Sequence, residues 1–147
     1  MYHNNIMEKV ISEAERYCGP DVPVSAAIAI EDRLISLAIN EVELTNIPWN
    51  HAEFIAIQHV LKTFGIKYLE KASMYVTLEP CAFCTSVLER VRIKEIFFGA
   101  YDPKCGAIFH NAQIFETSLV KPSVIGGIQE ARCSVILKKF FKAIRFV

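Results

Sequence analysis

A three-layer α/β sandwich is the architecture this sequence predicts, and two observations carry it. Apolar runs of strand length alternate with segments of helical spacing through most of the chain, which is the signature of helices packed on a sheet. At 147 residues there is enough chain for one core and one domain.

Residues 6–17 put Ile6, Val10, Ile11, Ala14 and Tyr17 on one side and Glu8, Lys9, Glu13 and Arg16 on the other, an amphipathic helix that Gly19-Pro20 ends. Residues 22–30 and 34–39 are apolar runs parted by Glu31-Asp32-Arg33, which predicts a hairpin. A helix then starts at His51: Asn50 can cap it, Glu53 falls at its third position as in a capping box, Phe54, Ile57, Leu61 and Phe64 form its stripe, and Gly65 stops it. Residues 73–78 (SMYVTL) read as a strand that Glu79-Pro80 interrupts. Pro80 sits at or near the first position of the next helix, whose stripe is Phe83, Val87 and Val91. Beyond it come a strand at 95–99, a turn-rich loop at 101–106, a short helix around 112–115, a fifth strand at 123–128 and a last helix over 129–144. That helix sets Ile136, Phe140 and Ile144 on one stripe and Lys138, Lys142 and Arg145 on another.

Composition narrows the class. Five cysteines is an odd number and MYHNNIMEKV lacks the apolar core of a signal peptide, so a reducing cytoplasm is expected, with Cys18, Cys105 and Cys133 as free thiols. No apolar run approaches the 18 residues of a membrane helix. Hydrophobic residues make up 52% of the chain and the mean hydropathy is +0.28, more apolar surface than one small core readily covers, which predicts an oligomer. Sixteen basic residues balance sixteen acidic ones, so affinity for a nucleic acid has to come from local patches.

Chemistry concentrates in two short pieces, His51-Ala52-Glu53 and Pro80-Cys81-Ala82-Phe83-Cys84, each at a predicted helix start. Cys81 and Cys84, three apart, share one face of a first turn, where a helix N-terminus favours the thiolate that a zinc ligand must be. One imidazole and two thiolates leave a fourth tetrahedral position for water, the pattern of a catalytic zinc, with Glu53 as a nearby carboxylate outside the ligand set. Other readings stay open at this point. A CxxC pair also serves redox chemistry, and a structural zinc would take a fourth ligand from Cys105, His110 or Cys133. Glu53 can simply close a capping box, and Asn40 and Asp102 can be ordinary turn residues. The acid-free tail at 134–147 can be a solvated face, and His3, His59 and His110 read as surface or satisfied histidines.

HAE followed by PCAFC is similar to the H-x-E…P-C-x-x-C signature of the zinc-dependent nucleoside and base deaminases. With YVTLEPC at 75–81, FGAYDPKCGA at 98–107 and Asn40 ahead of HAE, the chain over roughly residues 6–145 resembles tRNA-specific adenosine deaminase, of the cytidine/deoxycytidylate deaminase superfamily. Cys105 and Tyr101 depart from the small and the basic residues expected there. The resemblance implies a mixed five-stranded sheet within the three-layer α/β/α sandwich, and one Zn2+ per subunit held by His51, Cys81 and Cys84. It implies Glu53 as the proton shuttle, Asn40, Asp102 and the Ala52 backbone around the base and ribose, and Lys104, Phe141, Lys142 and Arg145 against flanking RNA. The implied reaction is hydrolytic deamination of the wobble adenosine of a tRNA anticodon loop, that of tRNA-Arg, by a homodimer. A deaminase of free guanine or cytosine and a non-catalytic zinc-stabilised domain are the alternatives.

Overall fold

The strand-forming runs pair into one sheet in the computed structural model of the chain, which describes residues 2–145. Chain order is α1 (Tyr2–Arg16), β1 (Ser25–Ile30), β2 (Arg33–Ile39), a one-turn α2 (Val42–Thr45), α3 (Ala52–Phe64), β3 (Ala72–Leu78), α4 (Ala82–Arg90), β4 (Glu95–Ala100), a 3-10 turn (Ile114–Thr117), β5 (Ser123–Ile125) and α5 (Glu130–Ile144). The sheet is mixed and runs β2-β1-β3-β4-β5. β1 is antiparallel to both β2 and β3, whereas β3, β4 and β5 are mutually parallel. The expected hairpin closes on Glu31 and Asp32, both at positive φ (51° and 61°), the twist that a two-residue hairpin turn requires.

Each sheet face is covered, so the central strands are apolar on both sides. Ala26 and Ile28 of β1, Met74 and Val76 of β3 and Ile96 and Phe98 of β4 pack against Ala56, Ile57 and Val60 of α3 and Leu88 of α4. On the opposite face Ala27, Ala29, Tyr75 and Phe97 meet Ile6, Met7, Val10 and Ile11 of α1 and Cys133 and Ile136 of α5. These two cores are the sandwich. α5 is further held to α1 by Arg132, which donates to Glu8 (2.8 Å) and to both carboxylate oxygens of Glu15. Among the described residues no helix is long and apolar enough to cross a membrane.

The predicted stripes of α3 and α4 are displaced by about one position. α3 buries Ala52, Glu53, Ala56, Ile57 and Val60, leaving Phe64 exposed and Phe54 half-buried, while α4 buries Cys84, Thr85 and Leu88 and leaves Phe83 exposed. The small alanines let the α3 backbone approach the sheet closely, and the bulky aromatics are thereby turned outwards, where Phe54 and Phe83 meet at 5.6 Å. The predicted helix at 112–115 is the 3-10 turn two residues later, and the fifth strand is shorter than expected.

One feature without a clear sequence signal positions the segment leading to α3. Asp21 is fully buried and accepts the amides of Glu43 (2.6 Å) and Leu44 (3.1 Å) at the start of α2, along with the hydroxyl of Tyr17 (3.3 Å). Replacing Asp21 with Ala leaves those donors without their acceptor. Denaturant unfolding of this variant is expected to show a loss of about 1–3 kcal/mol, and an unchanged midpoint would remove Asp21 from this role.

Candidate metal centre and substrate pocket

Two helix starts converge on one point. His51 is the N-cap of α3 and Cys81 the N-cap of α4, both with extended backbone, and at neither is the side chain used for capping. Each position ordinarily taken by a Ser, Thr, Asp or Asn, worth about 0.5–2 kcal/mol of helix stability, is given to an imidazole or a thiol able to ligate a metal instead. Asn50 therefore does not cap α3 as expected: its amide donates to the Ile47 carbonyl and its side chain to Thr45 Oγ1. Glu53 becomes the second helical residue, and the capping box does not form. Pro80 precedes the N-cap of α4 rather than opening the helix, and its carbonyl accepts the Ala107 amide (2.9 Å).

His51 Nδ1 lies 3.5 Å from Cys81 Sγ and 3.6 Å from Cys84 Sγ, and the three ligand atoms are all within 4.8 Å of one another. A tetrahedral zinc with ordinary Zn–S and Zn–N bonds requires N···S separations of about 3.6 Å. The donor set fits zinc. The fourth ligand of a structural site is missing among the described residues. His110 is engaged by Glu79, Cys133 is buried on the far face of the sheet, and Cys105 stands outside the group.

Electrostatics agree with a thiolate site. The Cys84 thiol donating to Cys81, with the His51 ring and the Cys84 amide beside it, brings the Cys81 thiol down to about 4. That same contact, with burial, pushes Cys84 up, so the two sulfurs share a proton until a cation replaces it. Glu53 is 4% exposed, and burial pushes its carboxyl above the ordinary carboxylate value. A carboxyl so placed can hold a proton and release it, as a general acid–base must.

A cavity of about 280 Å³ opens over the site, lined by Asn40, His51, Ala52, Glu53, Glu79, Cys81, Asp102 and Cys105 with Val22, Val24 and Leu78 as apolar walls. Its size is near the lower end for small-molecule pockets. Asn40 is 8% exposed and fixed at both ends, donating to the Val22 carbonyl (3.2 Å) and accepting the Val42 amide (3.1 Å). Asp102 accepts the amides of Lys104 and Cys105. Asn40, Ala52 and Asp102, expected around the substrate, all line this cavity, and so do Glu79 and Cys105, which sequence reasoning did not place there. Trp49 is 52% exposed and does not line the cavity.

The cavity shares Val22, Leu78, Asp102 and Cys105 with an adjoining groove of about 520 Å³. Lys104, Tyr101, Phe141, Ile144 and Arg145 line that groove, and Lys142 lies in a neighbouring hollow with Lys138, Phe141 and Arg145. The described part of the tail is an amphipathic helix: Ile136 is buried on the sheet, Phe140 rests edge-on against Phe141, Lys138, Lys142 and Arg145 line the hollow beside Phe141, and Lys139 lies on the α1 side with Glu15. His59 is exposed, and the side chain of His3 lies outside those described.

Residues 1–100 match the family described as the cytidine and deoxycytidylate deaminase zinc-binding region. The chain is 35% identical over 144 residues to a tRNA-specific adenosine deaminase of Rickettsia bellii, covering 95% of this chain and 99% of that one. It is 38% identical over 143 residues to the tRNA-specific adenosine deaminase of Aquifex aeolicus, covering 95% and 93%. A solved structure from a study of A-to-I editing by tRNA:A34 deaminases at the wobble position superposes with a TM-score of 0.85 at 32% identity, over 91% of this chain and 99% of that one. Replacing Cys84 with Ala is expected to take the purified protein from one zinc per chain to almost none by elemental analysis; full zinc content in that variant would mean that the ligands lie elsewhere.

Proposed function

This chain belongs to the tRNA-specific adenosine deaminases, within the cytidine and deoxycytidylate deaminase zinc-binding family, and from that membership we propose that its cavity converts the wobble adenosine of an anticodon loop to inosine. It is a zinc-dependent deaminase of adenosine in tRNA. The observation that carries the site assignment is a single cavity joining the His51/Cys81/Cys84 group to the buried carboxyl of Glu53 and to Asn40 and Asp102.

Zinc held by His51, Cys81 and Cys84 would supply Lewis-acid activation of water, bringing its pKa down to about 7. Glu53 accepts one proton of the attacking water and gives it to ring N1, then takes the proton of the resulting C6 hydroxyl and delivers it to the departing amine, so that ammonia leaves and the C6 oxygen remains. Its burial keeps the proton on that route and away from solvent. Asn40, locked by two backbone bonds, presents a fixed polar edge to base and ribose, and the Ala52 backbone and Asp102 complete the frame. An adenine in stacked RNA cannot enter so small a cavity; an unpaired loop base splayed out of its stack can.

The flanking nucleotides are assigned to the groove, where Lys104 and Arg145 meet phosphates and Phe141 offers a stacking face, with Lys142 beside them. That continuous basic and aromatic track favours RNA over a free guanine or cytosine, for which the cavity alone would suffice. The tRNA proposed is that for arginine, on resemblance alone. The full chain acts as one deaminase domain, in a cytoplasm that keeps the exposed Cys18 and Cys105 thiols reduced.

A homodimer is proposed from the outward apolar side chains of α2 to α4. Leu44, Trp49, Phe64 and Phe83 are exposed there, and Phe83 is paired with Phe54. Sedimentation of Phe83→Asp is expected to give a monomer and the parent protein a dimer; a monomeric, active parent would contradict this.

Two substrate arms test the function. The protein, given an anticodon stem-loop with adenosine at position 34, is expected to release ammonia and form inosine, and to leave free adenosine, guanine and cytosine unchanged. Glu53→Ala is expected to lose about 100- to 10,000-fold in kcat while keeping its zinc. Activity confined to free bases would overturn the RNA assignment, and a fully active Glu53→Ala would remove that residue from proton transfer.

A further inference from the structure

We propose that Glu79 is a positioning residue for the deamination: its buried carboxylate sets the loop of residues 102–110, and through that loop the placement of Asp102 against the substrate. This rests on the functional reading above. Glu79 follows the last residue of β3 and directly precedes Pro80-Cys81, and its own amide donates to the Ala100 carbonyl (2.8 Å) at the end of β4. Its side chain is fully excluded from solvent. Oε1 accepts the Asp102 amide (3.1 Å) and faces His110 Nδ1 (2.8 Å). Oε2 accepts the amides of Ile108 (3.2 Å), Phe109 (3.0 Å) and His110 (3.3 Å). One carboxylate thus gathers five nitrogen donors from the two ends of a loop.

The loop is also held from within, by Asp102 accepting the amides of Lys104 and Cys105 and by the Asn111 side chain donating to the carbonyls of Pro103, Lys104 and Gly106. Glu79 ties that unit to the junction of β3 and α4. Residues 101–105 are exposed or half-buried, and Asp102 and Cys105 are the two that reach the cavity wall. The chain passes directly over the carboxylate at Gly106, where a Cβ would stand 2.4 Å from Glu79 Cδ and 2.6 Å from the Asp102 carbonyl oxygen. Gly106 also bridges to Cys81, and the Ala107 amide bonds the Pro80 carbonyl (2.9 Å), so the loop that frames the substrate is registered against the segment that carries a metal ligand. A charged acceptor makes stronger bonds than a neutral one, so five of them fix this surface loop against the strand–helix junction.

Gln at position 79 has the same shape, but its amide nitrogen cannot accept a bond, so at least two of the donors lose their partner. Glu79→Gln is expected to retain zinc and far-ultraviolet dichroism, to speed hydrogen exchange at the amides of Asp102, Ile108, Phe109 and His110 but not in α3 and α4, and to lower kcat/KM on the anticodon stem-loop at least about tenfold. Because Glu79 acts through Asp102, the double variant with Asp102→Ala is expected to lose little beyond the worse single variant. A Glu79→Gln enzyme with parental kcat/KM, or losses that multiply in the double variant, would overturn the positioning role while leaving the functional reading intact. A parent protein inactive on the stem-loop would overturn both. If Glu79→Gln does not fold, His110→Ala, which removes only the ring donor, takes its place in the same cycle with the same two outcomes.

Discussion

The His51 imidazole and the Cys81 and Cys84 thiols meet within 4.8 Å of one another, and they come from the starts of two helices separated by a strand. That convergence governs how the middle of the chain is built. His51 and Cys81 each hold the N-cap of a helix without capping it, and Cys84 follows on the first turn of the second. Both helices lie on one face of the sheet, packed on β1, β3 and β4, and the sheet sets how their starts approach each other. The first-turn amides of both helices favour negative charge, so a thiolate pair is tolerated in a place that burial alone would make costly.

The polar chemistry around the cation is ordered by burial. Glu53 is enclosed and pushed towards its protonated form, whereas Glu79, two residues before Cys81, is equally hidden yet held below the ordinary carboxylate value. Burial alone would raise Glu79, but the Phe109 and Asp102 amides and the His110 ring outweigh it. Two acidic residues within one site are thereby shifted in opposite directions, which suits the proton-transfer role proposed for Glu53 and the anchoring role proposed for Glu79. Val22, Val24 and Leu78 give the cavity its apolar walls.

Much of this was legible from residues alone, for particular reasons. The grouping of His51 with Cys81 and Cys84 could be expected because both pieces fall at helix starts and match the H-x-E…P-C-x-x-C signature, and Gly65 marks its helix end with a positive φ that few other residues accept. The hairpin was visible from two apolar runs with charged residues between them. What stayed hidden depended on distance in sequence. Which face of α3 and α4 turns inwards was decided by Ala52 and Ala56 fitting against the sheet, not by where the largest apolar residues fall. Glu79 looked like an interruption between a strand and a proline, because its partners lie 23 to 31 positions downstream. A lone acid abutting an apolar strand was the only available hint.

X-ray absorption at the zinc edge of the purified protein examines the coordination on which the chemistry rests. The account predicts two sulfurs at about 2.3 Å, one imidazole nitrogen and one further light atom from solvent. A shell closed by a third sulfur or a second imidazole, or protein purified with no zinc at all, would contradict it.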